Sequence, residues 1–415
     1  MPTSVPAPAV SGGSAVHSAS EAVVARLAAR LDAEPDFGRA LTASLETAAT
    51  RARGAIRDAL YAALPWPQTP EAYLDYLRDF ARYVPQQTPE TAWESPDDDG
   101  YQEPHDRMVH FYWLVDQPLD DAGAVLQADD GFATWLRDYA RAWGAFLDTP
   151  ASLTPETLAS FYEHSPAYDA PESEADSGAI ALGSGYQTFN QFFSRALAPG
   201  ARPIHAPADN ATLTAVADAG FESTHRIDAT GAFPAVTVKH SHVYADVATL
   251  LGADDELAAR FRGGTYVHYH LKPYAYHRFH TCVAGRVTAV RHLEGRTYLK
   301  TGIEDGKLEG YNDASNGYEF AQQRAVLLLD TAEAFGGEGD LGLVALVPVG
   351  MGHVSSVRVT AEPDGYLRKG DEFGMFLYGG SGVVVLFEAR AGVALEEFSG
   401  DKAVGEVVGR AQLAR

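Results

Sequence analysis

Gly379-Gly380-Ser381 lies 35 residues from the C-terminus and is followed by an apolar run, a place where a chain can react with itself. A serine hydroxyl can add to the preceding backbone carbonyl, and Gly380 has no side chain to block that approach and tolerates the strained backbone it needs. Such a serine must lose its proton, so a histidine held in one tautomer by a carboxylate is the expected helper. The bare triplet more often marks a flexible turn and decides nothing alone. A second group is His268, His270, His277 and His280, four histidines within thirteen residues. Residues i and i+2 of a strand share a face, so His268 and His270 could hold one ion, as could His240 and His242. No local carboxylate or cysteine completes a ligand set, and no metal is expected. The plainer reading is a histidine satisfied within a strand.

Positioning such groups takes a sizeable frame, and 415 residues with 46% hydrophobic composition are enough for two or three domains. A formal charge of -24 disfavours nucleic acid and anionic membrane surfaces as partners, since both attract basic patches. No window approaches the ~20 apolar residues of a membrane helix, and no secretory signal opens the chain. The expectation is a cytoplasmic protein, monomer or homodimer, without stable membrane association. The single cysteine, Cys282, reads as a buried small hydrophobe.

The pattern predicts an α+β protein. Residues 1–18 are rich in Pro, Ser, Ala and Gly and are expected to be a disordered tail. Residues 19–165 read as a helical accessory domain, with helix starts at Thr69-Pro70-Glu71, Thr88-Pro89-Glu90 and Thr154-Pro155-Glu156. Phe132, Trp135, Leu136, Tyr139, Trp143, Phe146 and Leu147 recur at helical spacing and form a core stripe. Residues 166–185 form an acidic linker. From 186 to 415 short β-rich runs, such as 265–270, 286–290, 325–329, 343–349 and 383–387, predict a mainly antiparallel, sheet-rich domain; residues 248–261 are its clearest helical interruption.

Four segments in order resemble the phosphatidylserine decarboxylase family. Tyr186-Gln187-Thr188-Phe189-Asn190-Gln191-Phe192-Phe193-Ser194-Arg195 with Pro199-Gly200-Ala201-Arg202-Pro203-Ile204 is similar to its entry motif, and Ala206-Pro207-Ala208-Asp209 follows where its aspartate lies. Tyr276-His277-Arg278-Phe279-His280 resembles its paired-histidine motif. Residues 344–357 resemble the strand pair before the cleavage segment, and residues 369–383 resemble the self-cleaving site itself.

The resemblance implies that the chain is cut between Gly380 and Ser381 and that Ser381 becomes a pyruvoyl group, so no pyridoxal phosphate is needed. The ester formed by attack of the serine eliminates to dehydroalanine and then hydrolyses with loss of ammonia. His280 matches the histidine that activates the serine, Asp209 the aspartate that orients it, and His277 the histidine used in decarboxylation. A histidine titrating near neutrality suits the acid that reprotonates the substrate carbon. The ketone would condense with a substrate amine to an imine and accept electron density as CO2 leaves. Ala275 stands where the family usually has an acid and Gly382 where it has a hydroxyl residue. The segment around Trp135, Tyr139 and Trp143 resembles the accessory domain of soluble members that decarboxylate amino acids, the tryptophan type among them. A free aromatic amino acid is therefore the expected small-molecule substrate, with His268, His270 and Phe279 as candidate pocket residues. The alternatives are a phosphatidylserine decarboxylase and a non-catalytic metal-binding protein.

Overall fold

The computed structural model describes residues 12–95, 100–168, 185–233, 246–311, 317–333, 339–352 and 357–412. Most of the expected tail, nearly all of the linker, and His240 and His242 lie outside the described residues. Within them the first helix already starts at Gly12, so residues 12–18 are helical where the composition pointed to a tail.

Two of the three expected caps form. The Thr69 and Thr154 side chains each accept the backbone N–H three residues on, at 3.2 Å, and open the helices Pro70–Phe80 and Pro155–His164. Proline sits at the first helical position, where its missing N–H costs nothing. Thr88 behaves differently: its hydroxyl donates to the buried Glu103 carboxylate at 2.8 Å, and only the single turn Thr91–Trp93 follows. A local capping signal lost to a tertiary partner. In the helix Asp130–Leu147 the aromatic stripe is buried, with Phe146 only partly covered.

The sheet-rich part is organised by eight strands in the order Tyr366–Leu367, Gly285–Leu293, Arg324–Asp330, Leu343–Met351, Gly380–Phe387, Thr265–Leu271, Ala219–Arg226 and Asp401–Lys402, with antiparallel neighbours throughout. Gly380–Phe387 is thus an interior strand, and both of its faces are covered. On one face Val383, Val385 and Phe387 join Val267, Tyr269 and Leu271 in a core continuous with the N-terminal helices. On the other, Val384 and Leu386 join Tyr266, Val347 and Val349 beneath the short helices Val247–Leu251, Asp255–Arg260 and Tyr318–Ala321. The first two correspond to the helical interruption expected at 248–261, split at Gly252, whose φ of +54° ends one helix. Runs of Val and Leu that are apolar on both faces are what a strand covered on two sides requires.

Candidate active site

The register fixes the backbone around the serine. Ser381 is opposite Leu271 on one side and Gly350 on the other, and Gly382 is opposite His270. Gly379, just before the strand, takes φ +146°, a conformation that favours glycine. Tyr378 is clamped among Trp143, Phe189 and Phe193, with ring centroids 5.1–5.3 Å away, and its N–H donates to Asn190 Oδ1. The entry motif and the helical layer thus grip the chain three residues ahead of the serine.

His277 is fully buried, and its ring stacks on Phe193 at 3.8 Å and 25°. Burial first, and the Arg195 guanidinium second, hold it well below the usual imidazole range. The expectation of a ring titrating near neutrality is therefore corrected: it is neutral at pH 7. The Ala275 backbone opposes that lowering, but among the described residues no group meets either ring nitrogen with full hydrogen-bond geometry. Leaving a buried polar group unsatisfied costs about 1–3 kcal/mol, so such a ring fits a site where a reacting molecule supplies the missing partner.

His280, on the strand Arg278–His280, is instead satisfied at both nitrogens. Its Nδ1 lies 2.8 Å from the Gly370 carbonyl, which can only accept, so Nδ1 carries the proton and Nε2 keeps its lone pair. The Tyr276 hydroxyl meets Nε2 at 3.0 Å. Burial lowers its pKa, with the Gly370 carbonyl opposing.

Asp209 does not orient His280 directly. One of its carboxylate oxygens accepts from the Ala211 N–H at 2.8 Å and the other from the Thr212 hydroxyl at 2.7 Å, and the Thr212 bond is the first cause of its lowered pKa. The two residues are tied through the turn between them. Lys369 Nζ donates to the carbonyls of Ala206, Asp209 and Thr212, and the next residue, Gly370, receives His280. The sequence missed this link, although Lys369-Gly370 opens the segment 369–383; a lysine bound to backbone carbonyls leaves no pattern along the chain.

Of the three candidate pocket residues, one lines a cavity beside the serine's strand. His270, with Lys272, Tyr274, Tyr101, Tyr168 and Glu309, surrounds a cavity of about 570 Å³ between the sheet and the N-terminal segment. His270 and Lys272 flank Leu271, the residue opposite Ser381. Burial pushes His270 down to about 4. Phe279, by contrast, packs against Phe373 and Phe376 at 4.7 and 4.9 Å as a core residue. His268 faces away from this cavity: it is fully buried and bonds the Tyr318 hydroxyl at 2.7 Å. Among the described residues no three His, Cys, Asp or Glu side chains gather as a metal would need. Nor is any helix among them long and apolar enough to cross a membrane.

The family model for phosphatidylserine decarboxylase matches residues 189–410, just over half the chain. The chain belongs to the phosphatidylserine decarboxylase family. The phosphatidylserine decarboxylase proenzyme of Acidovorax ebreus is 34% identical over 243 residues, 54% of this chain and 76% of that protein. Phosphatidylserine decarboxylase proenzyme 2 of Oryza sativa is 32% identical over 206 residues, half of this chain; the match spans only 30% of the rice protein's length. The decarboxylase iboD of Amanita muscaria is 26% identical over 298 residues, 66% of this chain and 82% of that protein. That alignment is longer than the segment matched by the phosphatidylserine decarboxylase family model.

Proposed function

We propose that this phosphatidylserine decarboxylase relative is a carboxy-lyase that cleaves itself between Gly380 and Ser381 and releases CO2 from a free amino acid, an aromatic one first. A soluble cytoplasmic enzyme without stable membrane association belongs to the same reading. The observation that carries it is the cavity beside the serine's strand. Tyr101, Tyr168 and Tyr274 give it aromatic walls, and residues of the N-terminal segment line part of it. A volume of about 570 Å³ with aromatic lining suits a small aromatic molecule.

The backbone around residue 381 fits a self-made pyruvoyl group: glycines precede the serine, and an interior strand holds the chain on both sides. That group would supply the electron sink into which the bond to CO2 breaks. Phe193 and burial fix the orientation of His277 and keep it neutral. In that state it can take a proton from the substrate ammonium, leaving a nucleophilic amine, and return it to the α-carbon once CO2 has left. In the earlier self-cleavage, His280 Nε2 is the atom with a lone pair for the serine proton, and Tyr276 sits on it as gatekeeper or relay.

Purified protein given a panel of free amino acids, and separately phosphatidylserine in detergent, is assayed for CO2. Release from aromatic amino acids is expected. Turnover of phosphatidylserine with none from any free amino acid would overturn the substrate reading and restore the activity named for most of the relatives.

A further inference from the structure

Gly382 follows the serine, and the space beside it is already occupied. A Cβ built there would stand 2.6 Å from the Tyr318 hydroxyl and 2.8 Å from His268 Nε2, closer than a carbon can approach either. The two polar atoms bond each other at 2.7 Å in a region closed to water, where Tyr318 is 1% exposed and His268 not at all. Burial pushes the imidazole down to about 3, so at neutral pH the pair carries no charge. Two separate elements deliver it. His268 comes from the strand Thr265–Leu271, two residues before the one opposite Gly382, and Tyr318 from the helix Tyr318–Ala321.

A side-chain hydroxyl on residue 382 would put its oxygen about one bond length beyond that Cβ, in the neighbourhood the Tyr318 oxygen fills. We propose that the Tyr318 hydroxyl, held by His268, is a positioning group for self-cleavage that stands in for a hydroxyl at residue 382 and steadies the 381–382 peptide. The proposal rests on the reading that the chain cleaves at 380–381. There the Ser381 oxygen bonds to the Gly380 carbonyl carbon, the bond from that carbon to the Ser381 nitrogen breaks, and the nitrogen takes up the serine proton. Tyr318 forms no bond and gives up no proton. Its part is to limit the freedom of a residue with no side chain of its own while its neighbour's backbone is cut, since misplacement of the attacking and leaving groups is what such a reaction tolerates least.

The test follows cleavage rather than turnover. Chains made by cell-free synthesis are sampled over time, and the two fragments are quantified by gel and intact mass. Tyr318→Phe keeps the ring and removes the oxygen; cleavage should slow about tenfold. Adding Gly382→Ser to a chain carrying both Tyr318→Phe and His268→Ala, which clears the two atoms a Cβ would meet, restores a hydroxyl to the same place and should recover most of the rate, whereas adding Gly382→Ala to that chain should not. Gly382→Ser alone crowds the tyrosine oxygen and should be slow. His268→Asn, which leaves Tyr318 in place but less well held, gives the same sign by a route that spares the tyrosine. Unchanged cleavage in both Tyr318→Phe and His268→Asn would overturn the proposal, and so would recovery by alanine equal to recovery by serine, which would mean that only volume matters there. If the wild-type chain never cleaves, the pyruvoyl reading itself fails instead.

Discussion

The two flanks of the strand Gly380–Phe387 treat a buried histidine differently. On the flank facing the helical layer, His277 is stacked on Phe193 with no hydrogen-bond partner among the described residues. On the other flank, His268 is buried just as completely but bonded to Tyr318 and sealed beneath short helices. Burial lowers the pKa of both, so desolvation alone does not separate a reactive histidine from a structural one. The number of open nitrogens does. His268 gives Nε2 to the Tyr318 hydroxyl and leaves only Nδ1 without a partner among the described residues, whereas His277 leaves both nitrogens without one, a cost that a bound molecule could relieve.

The comparison can be broken in order of expected effect. Ser381→Ala should leave a single uncleaved chain of 44.5 kDa with no CO2 release, checked by intact mass. His277→Ala should cleave normally yet release CO2 about 10²–10⁴-fold more slowly, the range for loss of a general acid–base group. Blocked cleavage in that variant would move His277 to the other half of the chemistry. His280→Ala should slow cleavage strongly, and Asp209→Asn by less, because Asp209 reaches His280 only through the Lys369-Gly370 turn. Equal effects from the two would restore a direct pair.

The smallest effect concerns pH. His268 has its pKa lowered to about 3 in the folded state against an ordinary 6.5. The unfolded chain therefore binds more protons below 6.5, and stability falls as pH drops through that window. Between pH 6.5 and 5 the loss is about 2 kcal/mol for one such histidine. His268→Gln should flatten the urea midpoint between pH 7 and 5 by a corresponding amount; an unchanged slope would mean that His268 is not neutral in the fold.

Much of this was legible along the chain. The helical stripe through Trp135, Tyr139 and Trp143, two of three threonine caps and the apolar strands are local patterns, and local patterns survive folding. The hairpin Lys300–Glu304 with Lys307–Tyr311 was missed because its Lys, Thr, Gly and Glu residues carry no strong strand signal. At the site, the serine and both motif histidines were singled out by the resemblance of their segments to the family, not by spacing alone. Tyr318 could not be, since it meets Gly382 only through packing across the sheet. For His268 two readings stood open, a pocket residue beside His270 and a histidine satisfied within its strand, and its bond to the Tyr318 hydroxyl is a contact that alternation along the strand could not foretell.

The interior position of Gly380–Phe387 bears on how the protein comes into being. A cut ahead of Ser381 turns a hydrogen-bonded inner strand, together with the segment Val407–Arg410 that pairs with Thr212–Thr214, into a separate polypeptide. Such a fragment would stay put, because its strand is laced between Leu343–Met351 and Thr265–Leu271. After denaturation, however, the two pieces must find each other again, and a reaction that was once independent of concentration becomes bimolecular. If the chain is cut there, the intact precursor would fold more readily than its separated pieces, and the cut protein would be a product of its own assembly history rather than a state its fragments readily regain.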